Sequence, residues 1–219
     1  MSVDPTRQIY KPFYLIHQLC EGLDGGSYVD IGALWGIVQE TLSTAKWYTD
    51  DLSIIDISCS LYPGMEGYLH WHGVRDVRYI HADILNYHDT RQFDRGWCSG
   101  VFYHLYEPWK LVDKLMELIR GPFVLGSMVV PEGTFEEDPW KIDPSNEELM
   151  DRIRNAWAEG WTLPHDHSDS HTPIYWAYSP SAIRSVLESR GLRVRCDFRE
   201  PTEFADYKSG SRYWALCDR

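Results

Sequence analysis

Short apolar runs alternate with segments of helical periodicity along most of the chain. The apolar runs predict strands over residues 28–31, 52–57, 77–82, 96–101, 123–130, 192–198 and 213–217. Between them, apolar side chains recur three and four positions apart, which predicts helices over residues 10–23, 33–46, 65–72, 108–119 and 180–190. Strands that alternate with helices at this spacing predict an α/β fold, with a mostly parallel sheet and helices on both faces.

The alternation breaks between residues 131 and 173. This stretch is acidic and rich in Trp, Pro and His, and its apolar spacing predicts one helix, over residues 146–157. A long irregular insertion inside a compact α/β domain is typical of a lid or a binding element. We therefore expect a single domain over residues 1–219, with a lid at about residues 131–173.

Composition limits the partners and the compartment of the protein. The chain of 219 residues carries 21 Lys and Arg against 33 Asp and Glu, and this formal charge of −12 repels a nucleic-acid backbone. The 5 cysteines include no C-x-x-C pair, which disfavours a disulfide framework or a structural zinc site. The first residues do not resemble a signal peptide, and no run approaches the ~18 apolar residues of a membrane span. These features predict a cytoplasmic protein that does not bind membranes, and they disfavour nucleic acid as its partner.

Chemically distinctive residues follow three successive predicted strands. The first strand leads into the turn Asp30-Ile31-Gly32-Ala33-Leu34-Trp35-Gly36, which opens a helix and lets backbone approach a ligand closely. Asp56 lies at the carboxyl end of the second strand, where an acid binds ribose hydroxyls in Rossmann-like sites, and Asp83 follows the third strand. Because the carboxyl ends of parallel strands face one crevice, we expect these residues to share a ligand site.

The ordered motifs resemble those of class I S-adenosylmethionine-dependent methyltransferases. The turn at residues 30–36 is similar to the glycine-rich first motif of this family, with Leu34 in place of its middle glycine. Ile55-Asp56-Ile57-Ser58 and Ala82-Asp83-Ile84 resemble the segments that carry the acids of its second and third strands. The segment 98–108, which contains Tyr103-His104-Leu105, is similar to the fourth-strand region of small-molecule methyltransferases. The resemblance extends over residues 28–217.

This resemblance implies S-adenosylmethionine as the cofactor and a Rossmann-like fold with a mostly parallel, seven-stranded sheet. It also implies roles for individual residues. Asp30 orients the methionine end, Gly32 presents its backbone to that end, and Asp56 binds the ribose hydroxyls. Asp83 accepts a hydrogen bond from the adenine amine, and Ile84 lies against the adenine ring. The other residues of the implied cofactor site are Ala33, Gly36, Ile57 and Ser99.

The methyl-transfer step requires further residues where the methyl acceptor binds. Methyl transfer is an in-line displacement with an excellent leaving group, so the protein mainly aligns the reactants and excludes water. A hydroxyl acceptor also needs a group that takes its proton, and an imidazole suits this role. His104 follows the fourth strand and is the predicted catalytic base, with a structural histidine of the strand–helix turn as the alternative. Tyr103, Trp161 and Trp176 are predicted to line the acceptor pocket with His104.

The predicted function is an enzyme that transfers a methyl group from S-adenosylmethionine to an oxygen or nitrogen of a small molecule. An RNA (tRNA) methyltransferase is an alternative that the charge of −12 disfavours. A non-catalytic S-adenosylmethionine-binding protein of the same fold is another, which Leu34 leaves open. A non-methylating enzyme that uses the same cofactor has the same sequence pattern and is the third alternative. The loop from His165 to His171 lacks a recognised ligand spacing, so no metal site is predicted. The acceptor stays open, as does the choice between a monomer and a homodimer.

Overall fold

The computed structural model describes residues 11–32, 38–57, 65–129, 140–141, 148, 176–198 and 212–219. Its strands are β1 (Ser27–Ile31), β2 (Asp51–Asp56), β3 (Val77–His81), β4 (Arg95–Ser99), β5 (Phe123–Met128), β6 (Trp140–Lys141), β7 (Trp176–Ala177), β8 (Arg193–Phe198) and β9 (Arg212–Asp218). Its α-helices are α1 (Lys11–Cys20), α2 (Val38–Ala45), α3 (Met65–Trp71), α4 (Pro108–Leu118) and α5 (Pro180–Ser189). A 3₁₀ helix, Phe102–His104, lies between β4 and α4.

Seven strands form one sheet in the order β3-β2-β1-β4-β5-β9-β8. Neighbouring strands from β3 to β5 are parallel, whereas β9 runs antiparallel to both β5 and β8. The strand order reverses between β1 and β4, and this switch point opens a crevice outside their carboxyl ends. The predicted Rossmann-like α/β fold with a mostly parallel, seven-stranded sheet is therefore confirmed.

The two faces of the sheet bury their apolar side chains against different helices. Successive strand residues alternate between the faces, so Tyr28 belongs to one buried cluster and Val29 to the other. Ile54 and Ile55 divide in the same way. Apolar residues of α1, α2 and α3 complete the first cluster, and those of α4 and α5 complete the second. Helices on both faces, as predicted, shield the central strands from water and leave the strand ends available for chemistry.

The fourth strand is shorter than its apolar pattern predicts. The prediction covers residues 96–101, whereas β4 ends at Ser99. The reason is backbone geometry, because Gly100 adopts a φ of +78° and turns the chain away from the sheet. The chain then enters the 3₁₀ helix at Phe102, which brings His104 close to the carboxyl edge of the sheet.

A second, two-stranded ladder lies outside the main sheet. Strand β6 pairs antiparallel with β7, with Trp140 opposite Ala177 and Lys141 opposite Trp176. This ladder was not predicted, and it ties part of the 131–173 insertion to the segment that leads into α5. The predicted helix over 146–157 and the rest of the predicted lid lie outside the described residues. None of the described helices is long and apolar enough to span a membrane.

Candidate active site

Residues from four parallel strands approach the same edge of the sheet. The residues predicted for the cofactor site are Asp30 within β1, Asp56 at the end of β2, Asp83 after β3 and Ser99 at the end of β4. Hydrogen bonds continue beyond the strand ends: the Gly32 N–H donates to the Ile55 carbonyl at 3.0 Å, and the Ala82 N–H donates to the Asp56 carbonyl at 2.9 Å. These bonds hold the loops after β1, β2 and β3 together, so the crevice has a fixed wall.

Gly32 allows the first loop to pack directly on the loop after β4. Its φ is +74°, a left-handed conformation that glycine adopts without strain. A Cβ at this position would lie 2.2 Å from Val101 Cγ2 and 3.0 Å from the Ser99 carbonyl oxygen. A side chain here would therefore push the first loop away from Ser99. The glycine of the predicted motif is required by close backbone approach, and this approach places the Ser99 backbone beside the turn.

Asp30 is a buried acid beneath this turn, with a relative exposure of 2%. The Thr41 hydroxyl on α2 donates a hydrogen bond to Asp30 Oδ2. Burial raises the pKa of the Asp30 carboxyl to about 8; the Thr41 hydrogen bond lowers it in part, and the nearby Asp56 carboxylate adds to the rise. Thr41 was not predicted as a site residue. Helical spacing places Thr41 on the same side of the helix as the buried Ala45, which marks it as a packed position but not as a site residue.

Asp56 and its neighbour Ile57 differ sharply in exposure. Asp56 is buried at the end of β2, whereas the Ile57 side chain is 69% exposed. His81 Nε2 lies 2.7 Å from the Ile57 carbonyl oxygen and donates a hydrogen bond to it, which anchors the loop after β2 to the end of β3. An exposed isoleucine next to a strand-end acid places an apolar surface beside a hydrogen-bond acceptor. His81 is thus a supporting residue that the sequence analysis missed.

Asp83 organises the loop that follows β3. Its Oδ1 accepts the Leu85 N–H at 3.0 Å, and its Oδ2 accepts the Asn86 side-chain N–H at 2.7 Å. These bonds form an Asx-type turn that fixes the carboxylate near the edge of the sheet. Ile84 points into the second apolar cluster and is 6% exposed, so it supports the crevice from below. Each Asp83 oxygen retains acceptor capacity for a further hydrogen bond.

The predicted catalytic residue lies at the end of the 3₁₀ helix. The His104 N–H donates to the Val101 carbonyl at 3.0 Å, and the His104 imidazole lies 4.3 Å from the Tyr103 ring, centroid to centroid. Tyr103 is buried, whereas His104 is partly exposed. Phe102 anchors this segment through its ring contact with Tyr178, at 5.2 Å between centroids. The 3₁₀ helix therefore holds His104 on a packed base with a partly accessible ring.

Four of the predicted site residues have no described side chain. Ala33, Gly36 and Trp161 lie outside the described residues. Trp176 belongs to β7, whose backbone contacts the 3₁₀ helix that carries His104. The fold thus brings the Trp176 position and His104 to one region.

The fold, rather than the sequence, relates this chain to known proteins. The sequence matches no protein-family model and no curated protein. The structure is similar to the N-methyltransferase NodS from Bradyrhizobium japonicum, with 14% identity, a TM-score of 0.56 and 99% of each chain covered. It is also similar to the Burkholderia thailandensis 1,6-didemethyltoxoflavin-N1-methyltransferase with bound 1,6-didemethyltoxoflavin and S-adenosylhomocysteine. That match has 13% identity and a TM-score of 0.62, and it covers 96% of this chain and 76% of that one.

A third solved structure adds a different acceptor. Magnesium protoporphyrin IX methyltransferase from Synechocystis, with bound S-adenosylhomocysteine, matches at 13% identity and a TM-score of 0.55. The match covers 100% of this chain and 89% of that chain. At identities this low, the structural similarity establishes the fold alone, which this chain shares with these methyltransferases. Such identities leave the activity of this chain to be argued from its own residues.

Proposed function

We propose that this protein is an enzyme that transfers a methyl group from S-adenosylmethionine to an oxygen or nitrogen of a small molecule. The observation that carries the proposal is the arrangement at the carboxyl edge of the sheet. Three acids, Asp30, Asp56 and Asp83, come from the loops and ends of three adjacent strands and flank the tight Gly32 turn. Solved structures with this fold hold S-adenosylhomocysteine.

The residues at the edge suit the parts of this cofactor. Asp56, at the end of β2, is proposed to bind the ribose hydroxyls, because a carboxylate can accept two hydrogen bonds from a diol. The exposed Ile57 and the fixed Asp83 are proposed to receive the adenine, with Ile84 supporting that wall. Asp30 and the backbone at the first turn are proposed to bind the methionine end. The proposed backbone contacts come from Gly32, Ala33, Gly36 and Ser99.

The transfer itself needs alignment, exclusion of water and a place for a proton. When bound, S-adenosylmethionine supplies an electrophilic methyl group. His104 is proposed to take the proton of a hydroxyl or protonated amine acceptor, since an imidazole titrates near neutral pH. Tyr103, Trp161 and Trp176 are proposed to line the acceptor pocket and exclude water. Residues 131–173 are proposed as its lid, within one domain over residues 1–219.

A small-molecule acceptor fits this chain better than a nucleic acid. The formal charge of −12 repels phosphate backbones. The relatives in fold include enzymes named for a toxoflavin precursor and a magnesium protoporphyrin. We also propose a cytoplasmic location, because Cys20, Cys98 and Cys217 are buried free thiols. Catalysis without a metal ion is part of the proposal, and the oligomeric state, monomer or homodimer, is left to measurement.

Calorimetric titration with S-adenosylmethionine and S-adenosylhomocysteine tests the proposal. The wild-type protein is expected to bind both, and Asp56→Ala is expected to weaken binding about ten- to a hundredfold, because a charge-assisted contact to the ribose is lost. Asp51→Ala is a matched control, since Asp51 lies at the opposite end of the same strand and pairs with Arg91. It should leave the affinity unchanged. Equal affinities of wild type and Asp56→Ala would remove Asp56 from the site, and failure of the wild type to bind would overturn the proposed function.

A further inference from the structure

The hydrogen bond between Asp30 and Thr41 joins the two ends of the glycine-containing turn. Asp30 lies on β1, just before the turn, and Thr41 lies on α2, just after it. Both side chains are buried, with relative exposures of 2% and 0%. The Thr41 hydroxyl donates to Asp30 Oδ2. The bond therefore fixes the orientation of the carboxyl group relative to the loop that is proposed to bind the methionine end of the cofactor.

The surroundings of Asp30 contain no compensating cation in the described part of the chain, because no Lys or Arg there interacts with it. The titratable groups that act on it or feel its charge are Asp56 on β2, Tyr28 on its own strand and Cys98 on β4. Cys20 on α1 acts on Tyr28, and α2 contributes the neutral Thr41. Burial and the Asp56 charge therefore favour the protonated acid, which agrees with the raised pKa of Asp30.

A positively charged group on a ligand would favour the ionised form of Asp30 over the protonated form. A positive charge beside a buried carboxyl favours its ionised form, and each hydrogen bond donated to the carboxylate favours it further. S-adenosylmethionine and S-adenosylhomocysteine both carry an ammonium group on the methionine end. Thr41 is the one described side chain that donates a hydrogen bond to Asp30. Its hydroxyl is thus placed to stabilise the ionised acid at the moment when the ligand arrives.

We infer that Thr41 is a positioning residue that acts through Asp30, and that binding of the cofactor ammonium group displaces a proton from Asp30 to solvent. The inference rests on the proposed function, in which Asp30 serves the methionine end. One proton leaves the carboxyl group, and one ammonium–carboxylate contact forms while Thr41 keeps its bond to Oδ2. Cofactor affinity is therefore coupled to pH through a buried pair, and Thr41 sets the pH at which the coupling acts.

Calorimetry in two buffers tests the proton displacement. S-adenosylhomocysteine is titrated into the wild-type protein at pH 7 in phosphate and in Tris, whose ionisation enthalpies differ. The difference between the observed enthalpies gives the number of protons released, which is expected to be about one. 5′-Methylthioadenosine is the matched ligand control, because it keeps the nucleoside and thioether but lacks the ammonium group. It should release no proton, and Asp30→Asn should release none with either ligand.

Substitutions at position 41 test the positioning role. Thr41→Val keeps the shape and removes the hydroxyl, so it is expected to weaken S-adenosylhomocysteine binding about tenfold at pH 7. Affinity is expected to increase with pH until Asp30 is ionised and then to level off. In Thr41→Val this levelling should occur about one pH unit higher than in the wild type, because the ionised form of Asp30 loses its hydrogen bond. Thr41→Ser restores the hydroxyl and should restore both values. A merely structural role of Thr41 would lower the melting temperature without moving that pH.

The outcomes separate this inference from the proposed function. Failure of the wild type to bind S-adenosylhomocysteine would overturn the proposed function and the inference together. Normal binding without proton release would overturn the inference alone. Normal proton release with the same pH profile in the wild type and Thr41→Val would leave the role of Asp30 standing and overturn the role of Thr41. Circular dichroism of each variant identifies a failure to fold; if Thr41→Val fails to fold, Thr41→Ala, which also lacks the hydroxyl, takes its place in the comparison.

Discussion

Acidic residues have opposite surroundings at the two edges of the parallel sheet, the amino edge where the strands begin and the carboxyl edge where they end. At the amino edge, Asp94 accepts hydrogen bonds from the Ser27 N–H and hydroxyl and forms an ion pair with Arg120. Asp51 at the same edge pairs with Arg91. At the carboxyl edge, Asp30 and Asp83 form no ion pair with any described residue. Acids that are balanced by arginine within the fold maintain structure, whereas acids left without a cation are available to a ligand.

The pKa values of Asp94 and Asp30 follow this division. Burial raises the pKa of Asp94, but the hydrogen bonds from Ser27 and the Arg120 guanidinium outweigh it, so the pKa lies below its ordinary value. Burial raises the pKa of Asp30 to about 8, and the single Thr41 hydroxyl offsets only part of that rise. The same residue type thus stabilises the fold at one edge and destabilises it at the other when ionised. The carboxyl edge thus keeps a buried acid whose ionisation lowers the stability of the fold.

The largest predicted effect separates function from folding at the carboxyl edge. His104→Ala is expected to lower turnover by about 10²–10⁴-fold, because the variant lacks the proposed base for the acceptor proton. Cofactor affinity should stay nearly intact, since His104 lies beyond the residues proposed to hold the cofactor. The wild-type rate should fall at acidic pH, because a protonated imidazole cannot take the proton of the acceptor. Turnover is measured as S-adenosylhomocysteine formed with the first acceptor found by mass-spectrometric screening.

A surface histidine provides the control for this substitution. His88 is exposed and lies 3.8 Å from Glu117, at the end of α4 opposite to the one that follows the 3₁₀ helix. His88→Ala should leave turnover unchanged. A crystal with S-adenosylhomocysteine gives an independent measurement, because a methyl group, a near-attack gap and one hydrogen bond place a working base within about 8 Å of the sulfur. A larger distance, or unchanged turnover in His104→Ala, would make His104 a structural residue of the turn.

A smaller effect is expected on stability, with opposite pH dependence at the two edges. Asp94 binds its proton more weakly in the folded chain than in the unfolded chain. Its contribution to the free energy of unfolding is therefore present above pH ~4 and is lost as the pH falls. Asp30 binds its proton more tightly in the folded chain, so its contribution is lost as pH rises from ~4 towards ~8. Asp94→Asn should lower the free energy of unfolding by about 1 kcal/mol at pH 7. The free energy of unfolding of Asp30→Asn should increase relative to that of the wild type by up to about 1.4 kcal/mol per pH unit between pH ~4 and pH ~8.

Urea unfolding of the wild type and both variants at pH 5 and pH 8 measures these differences. The Asp30→Asn variant should be relatively more stable at pH 8 than at pH 5, because asparagine carries no charge to bury and can still accept from Thr41. The Asp94→Asn variant should lose stability relative to the wild type at both values, and less so at more acidic pH. A wild-type to Asp30→Asn difference that is independent of pH would show that the two acids are not distinguished by their edges.

The sequence predicted the carboxyl edge better than the amino edge, for a physical reason. Asp30 and Asp56 each belong to a short apolar strand, and the parallel arrangement alone brings such strand ends together. The amino edge is built from long-range pairs such as Ser27 with Asp94 and Asp51 with Arg91. Pairs of this kind leave no local periodicity in a single sequence. Such hydrogen bonds and ion pairs can therefore be identified only after the strands are placed in register.

Local geometry explains the other differences. The end of β4 was predicted too late, because the positive φ of Gly100 depends on the path into the 3₁₀ helix rather than on hydrophobicity. The β6–β7 ladder has only 2 residues in each strand, too few to show an alternating pattern. Thr41 was missed for another reason, since a threonine on a sheet-facing helix position is indistinguishable from core packing until Asp30 is seen beneath it.

The smallest expected effect concerns metal ions. It tests the assumption that the partner of the acids at the carboxyl edge is the cofactor and not a metal ion. Carboxylates without arginine partners are also the ligands that Mg²⁺ and Ca²⁺ prefer, so a cation could replace the cofactor as the partner of the carboxyl edge. Among the described residues, no three His, Cys, Asp or Glu side chains are grouped closely enough to hold an ion. We therefore predict that EDTA leaves both cofactor affinity and turnover unchanged. Loss of activity with EDTA and its recovery with Mg²⁺ would contradict this prediction, and would direct attention to His165, His167 and His171 as ligands.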